Sequence, residues 1–228
     1  ELNRDTANIG VFLLQRGRCR KCHVRLSWQY PLVEVLTGII FVALFALGKP
    51  LAESIWLATI FSTLIVIGAY DIRHQIIPDS LVAFFAIDSL AWFLWLHHAN
   101  LGEIFQIPYL WTLLAGPVLF APFWALWFVS KGKWIGLGDG KLAIGIGWFL
   151  GLSLGGSAIM LAFWIGTLWA LAMMTSQRLI AQVAPAHVHK MLSMRSAVAF
   201  GPFLILGVFV VYFTGVNLFG GSVSFFNF

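Results

Sequence analysis

The chain is a series of apolar runs separated by short polar gaps, and most runs are close to the length a bilayer demands. A spanning helix needs about 20 mostly apolar residues, with a range of roughly 17 to 25. Six stretches read as crossings: Leu32 to Leu47, Ser54 to Tyr70, Ser80 to Leu96, Tyr109 to Val129, Gly156 to Met174 and Ala197 to Gly215. A seventh, Lys141 to Leu154, is too short to span alone and is rich in glycine. A half-length helix beside a glycine loop often marks a site in a membrane protein. Backbone polar groups in lipid must be satisfied within the segment, and runs of this length do that as helices. The expected fold is an all-α, polytopic membrane bundle of about seven transmembrane helices.

Composition and charge agree with this. Hydrophobic residues make up 60% of the chain and charged residues 10%, against about 25% charged in a soluble globular protein. An ordinary water-soluble domain is excluded. There are 14 Lys and Arg against 9 Asp and Glu, but the basic residues are scattered through the gaps and form no stripe, so nucleic acid is not the expected partner. They sort by side instead. If the segment before Leu32 lies on one face and every run crosses once, all Lys and Arg except Lys49 fall on that face. Such a bias marks the face as cytoplasmic.

Carboxylates near a membrane are costly, about 2.5 to 3.5 kcal/mol for Asp at a helix centre on insertion scales, so each needs a reason. Asp71 ends the second run and opens the stretch Asp71-Ile72-Arg73-His74-Gln75-Ile76-Ile77-Pro78-Asp79. Asp139 lies in Gly136-Leu137-Gly138-Asp139-Gly140-Lys141, just before the short run. Both fall at the cytoplasmic rim. Two carboxylates facing each other across a bundle can share one proton and activate a water as base and acid. Gly136 and Gly138 would allow positive φ and close backbone approach beside Asp139. The competing reading is two helix caps, since Asp is favoured there without any chemistry. Asp79, after Pro78 and before an apolar run, reads as a cap. Asp88, mid-run, reads as a hydrogen bond to a neighbouring helix, and Glu34, three residues after Pro31, as a first-turn charge suited to the helix dipole. Arg73 and Lys141 read as anchors at the headgroups.

The segment Cys19-Arg20-Lys21-Cys22-His23 admits three chemistries. C-x-x-C-H is the attachment motif of c-type haem, which would require the opposite side of the membrane. A thiol redox pair would need a thioredoxin-like setting. A structural zinc site needs four ligands, so Cys19 and Cys22, with His23 as a third donor, would need partners upstream of Glu1. The chain opens on Glu1 rather than Met and has no signal-peptide run before Arg25, so residues are expected upstream.

Taken in order, five stretches resemble the bacterial type IV prepilin peptidase family, the membrane-embedded aspartic proteases with a G-x-G-D motif. They are Arg16 to Cys22, Tyr30 to Gly38, Asp71 to Asp79, Gly136 to Leu142 and Phe200-Gly201-Pro202-Phe203. The resemblance implies a catalytic pair, Asp71 and Asp139, with no catalytic metal needed; Gly136, Gly138, Lys141, Arg73 and Glu34, read from the residues themselves, are the candidate supporting residues around it. It implies cleavage of the basic leader of type IV prepilins or type II secretion pseudopilins after a glycine, at the cytoplasmic face of the bacterial inner membrane. In bifunctional members, S-adenosylmethionine-dependent N-methylation of the new N-terminus follows. It also implies residues 1–31 as part of a cytoplasmic zinc-binding, methyltransferase domain and 32–228 as the membrane-embedded peptidase. An eighth helix and a first C-x-x-C pair would lie upstream, completing a structural zinc site on Cys19 and Cys22. Two other readings stay open: a peptidase that cleaves without methylating, and a transporter with carboxylate ion sites.

Overall fold

The computed structural model describes residue 12 and residues 27–96, 107–183 and 199–220, with side chains over 27–96, 110–177 and 199–220. Every regular element among them is helical: α1 (Gln29–Ala46), α2 (Leu51–His74), α3 (Asp79–Leu96), α4 (Ile107–Ser130), α5 (Leu137–Val183) and α6 (Gly201–Thr214). The chain divides into two compact units, Glu1–Ala69 and Tyr70–Phe228, with the division falling inside α2 near its end.

In the first unit, α1 buries only Pro31, Ile40 and Leu44, and Leu32, Ile39, Val42 and Phe45 stand exposed. A helix apolar on its open side is one whose solvent is lipid. Helix α2 is different: Leu57, Ile60, Phe61, Leu64 and Ile67 recur at helical spacing and are fully buried.

The second unit is organised around α5, which packs against α3, α4 and α6. Helix α5 is broken at Gly151, where φ is 77° and ψ is 178°, a backbone region open almost only to glycine. Its first leg, 137–150, is about 21 Å long at 1.5 Å per residue, less than the roughly 30 Å of a bilayer core. This leg meets α4 backbone to backbone. A Cβ on Gly147 would lie 2.6 Å from the carbonyl of Ala115, and one on Gly116 would lie 2.9 Å from the carbonyl of Ile144. Without a hydrophobic force between helices in lipid, such small-residue contacts are how they associate. Pro117, inside α4, cannot donate to the Leu113 carbonyl as a helical residue would. The Trp148 indole N–H of α5 donates to that oxygen instead, at 2.9 Å.

Five of the described helices are long and apolar enough to cross a membrane, and α6, with 14 residues, is shorter. This differs from the seven crossings read from the sequence, at two places. The runs Lys141 to Leu154 and Gly156 to Met174 fall in one element, whose break is at Gly151 and not at Gly155-Gly156. Gly155 is used for packing, its Cβ position being 2.8 Å from Leu119 Cδ1. The run Ala197 to Gly215 supplies helix only from Gly201, where Pro202 sets the first turn.

Candidate active site

Asp71 sits in the last turn of α2 and Asp139 in the first turn of α5. Their side chains line the same cavity, about 1050 Å³ in volume. Both residues are buried, at 4% and 8% exposure, and they are near enough that the charge of Asp71 acts on Asp139. Each carboxylate sits at a helix end, as the cap reading also required. The fold in addition puts both on the wall of one cavity.

Three stretches distant in sequence build that wall. Asp79 starts α3, leaving Gln75 to Pro78 as a short connection from the end of α2. Ile77 packs into it. A Cβ on Gly138 would come within 3.1 Å of Ile77 Cβ, and one on Gly201 within 3.3 Å of Ile77 Cδ1. Gly201, the first residue of α6, approaches closest: its N–H donates to Asp71 Oδ2 at 3.1 Å, and a Cβ there would lie 2.6 Å from the same oxygen. Tilted aromatic contacts hold this end of α6 against the second leg of α5, with ring centroids 4.7 Å apart for Phe163 and Phe200 and 5.7 Å for Trp169 and Phe203. A backbone N–H aimed at a buried carboxylate fixes one oxygen and leaves the other for chemistry.

The supporting residues divide. Gly138 lies tight against Ile77, so that a Cβ there would push Ile77 back by a few tenths of an ångström. Gly136 does not, since a Cβ there would meet Asp139 Oδ2 at an ordinary 3.6 Å. Neither uses the positive φ that glycine allows, and Gly138 already lies within the first turn of α5. Lys141 Nζ pairs with Asp79 Oδ1 at 2.7 Å, tying the start of α3 to the start of α5 where a headgroup anchor had been expected. Asp79 is therefore an ion-pair partner as well as a helix start. Arg73 is exposed in the last turn of α2 and forms no ion pair with a described residue. Glu34 is exposed in α1 and is not among the residues lining the cavity. It also falls beyond the first turn, since α1 begins at Gln29 and not after Pro31. Cys19, Cys22 and His23 lie outside the described residues.

Sequence reasoning missed Gly201 and Ile77 as parts of the site. The only signal was that Phe200-Gly201-Pro202-Phe203 and the Ile-Ile-Pro-Asp stretch were among those carrying the family resemblance, without an assigned chemistry.

Comparison with known proteins decides the family. The model of the Type IV leader peptidase family matches residues 58–171, which contain both carboxylates, and the Bacterial Peptidase A24 N-terminal domain matches residues 5–47. The chain belongs to the type IV leader peptidase family. Relatives include proteins named prepilin leader peptidase/N-methyltransferase. The one from Xanthomonas campestris pv. campestris is 30% identical over 96% of this chain and 71% of its own length. The one from Dickeya chrysanthemi is 27% identical over 88% and 65%, and the one from Pectobacterium carotovorum subsp. carotovorum 33% identical over 65% and 52%. The chain thus spans about half to two thirds of the length of the latter two relatives. No solved structure matches it.

Proposed function

We propose that the chain is an aspartic endopeptidase that cuts the leader from type IV prepilins or type II secretion pseudopilins at the cytoplasmic face of a bacterial inner membrane. The observation that carries this reading is the pair of buried carboxylates, Asp71 and Asp139, presented by two different helices to one cavity. Family membership and the relatives' names support the substrate class, and the one-sided basic residues support the cytoplasmic face.

In this reading the apolar N-terminal helix of the substrate enters sideways from the lipid, while its basic leader stays in water. A water between the carboxyls attacks the scissile carbonyl carbon. One Asp, ionised, takes a proton from that water, and the other, protonated, gives its proton to the carbonyl oxygen. Collapse of the tetrahedral intermediate breaks the C–N bond, and the proton taken from the water passes to the leaving amine. The Gly201 N–H holds Asp71 in place through this sequence, and Ile77 fixes the spacing of the three stretches around it. Burial of both carboxylates keeps bulk water from the pair, so each electrostatic interaction within it is stronger than in solvent.

Methylation of the new N-terminus is a second activity carried by the relatives' names, with S-adenosylmethionine as methyl donor. Structural zinc on Cys19 and Cys22 would belong to the same N-terminal portion. The two thiolates and His23 fit a zinc donor set in kind but make three of the four ligands such a site needs.

The test is incubation of the purified protein with a model pseudopilin, with and without S-adenosylmethionine, followed by mass spectrometry. A lost leader supports the peptidase, and one added methyl group on the cleaved product supports the second activity. A lost leader without methylation leaves a cleavage-only enzyme. An unchanged substrate contradicts the reading and returns the transporter alternative.

A further inference from the structure

Among the described residues, only two other than glycine hold a positive φ: Gln75, at 53°, and Lys131, at 51°. Both close helices, and Lys131 shows the pattern. It ends α4 in a turn closed by Gly132, whose N–H bonds the Trp127 carbonyl at 2.9 Å, a common helix terminus. Gln75 ends α2, its N–H bonded to the carbonyl of Asp71 at 2.7 Å. Glycine would make the same bond without crowding a Cβ in the left-handed region. Gln75 therefore closes α2 much as Lys131 closes α4, and what sets it apart is its place one turn from Asp71 at the cavity.

Gln75, itself exposed, is among the residues lining the cavity that holds Asp71 and Asp139. Around that wall the other side chains are apolar, such as Ile76, Ile135 and Phe163, or charged, apart from the indole N–H of Trp134. Gln75 is the one side-chain amide there. It makes no hydrogen bond to another described residue, its only bond being through the backbone. A peptide drawn into this cavity brings N–H and C=O groups that lose water, and each needs a partner. A primary amide offers a donor and an acceptor together, the complement of an extended peptide backbone.

We propose that the Gln75 side-chain amide binds the backbone of the peptide substrate next to the scissile bond, donating from Nε2 to a substrate carbonyl and accepting at Oε1 from a substrate N–H. This rests on the peptidase reading of the cavity. Gln75 is then a substrate-binding residue on the same helix end as Asp71, four positions away. It registers the chain against the carboxylates without reading side chains.

The experiment measures kcat and KM of the full protein, in detergent or nanodiscs, on a synthetic pseudopilin peptide, alongside thermal midpoints. Gln75→Gly is expected to raise KM about tenfold with kcat within about twofold, the pattern of lost uniform binding. Its thermal midpoint should hold or rise, because glycine relieves the left-handed backbone. Gln75→Asn, which keeps an amide and tolerates the same φ, is expected to recover part of the KM. A substrate with an ester in place of the contacted peptide N–H should raise KM for the parent protein and add nothing in Gln75→Gly. An unchanged KM in Gln75→Gly would overturn the inference, as would a KM rise accompanied by a lower thermal midpoint. Two controls separate this from the underlying reading. If Asp71→Asn still cuts, or the parent protein cuts no peptide, the peptidase reading fails. If cutting requires Asp71 and KM ignores Gln75, only the present inference fails.

Discussion

Replacing Gly201 by alanine tests the geometry of the site with a single methyl group. The added Cβ would stand 2.6 Å from Asp71 Oδ2. Carbon and oxygen in contact prefer about 3.3 Å or more, so the carboxylate must retreat by roughly 0.7 Å. The hydrogen bond from the Gly201 N–H, now 3.1 Å, would then open to about 3.6 Å, beyond useful range. The obstructed atom is the end of a side chain, not backbone, so the fold can yield by turning the carboxylate. Loss of a hydrogen bond to a charged group costs about 1.5 to 3 kcal/mol, and a misplacement near 1 Å at a reacting group can cost about a hundredfold in rate. Gly201→Ala is therefore expected to lower kcat on a pseudopilin peptide by about two orders of magnitude, with KM changed little. Its thermal midpoint in detergent should fall by only a few degrees, because alanine is the better residue at a helix start. Wild-type kcat in a folded Gly201→Ala protein would refute the placement of Asp71 by Gly201.

Three further changes probe the frame. Gly147→Ala puts a Cβ 2.6 Å from the Ala115 carbonyl; because backbone cannot step aside, the overpacked α4–α5 contact should lose about 1 to 3 kcal/mol, read as a lower thermal midpoint. Trp148→Phe removes the donor to the Leu113 carbonyl that Pro117 leaves open, and should cost about 0.6 to 2 kcal/mol by the same measurement. The Asp79–Lys141 pair is largely exposed, at 74% and 38% of its side chains, so Lys141→Met should cost under about 1 kcal/mol and slow cleavage less than about fivefold; the exchanged pair Asp79→Lys with Lys141→Asp should regain most of the loss in a cleavage assay.

Much of the architecture was legible because lipid leaves few choices. Runs of apolar residues near bilayer length became α1 to α4 with ends within a few residues of the sequence reading. The reading failed where glycine has two uses. Gly155-Gly156 looked like a helix boundary, yet the helix runs through it, and the break falls on Gly151, whose φ of 77° no local pattern announces. At the site, Asp71 and Asp139 stood out because charge is so scarce in this chain. What holds them was not legible, because it consists of contacts between residues far apart. The bond from Gly201 to Asp71 joins positions 130 residues apart, and Ile77 looked like one more apolar residue until two glycines were seen to make room for it. Lys141, two residues after Asp139, invited an electrostatic or interfacial role; its partner is Asp79, 62 residues away.

The central claim is that Asp71 and Asp139 act together as one catalytic pair. It is tested most directly by Asp71→Asn and Asp139→Asn, each nearly isosteric, purified alongside the parent protein and assayed for release of the pseudopilin leader by mass spectrometry. Both variants are expected to reach the membrane, to keep the parent's thermal midpoint within a few degrees, and to release no leader above the no-enzyme control. Leader release by either folded variant at a rate near that of the parent would contradict the claim.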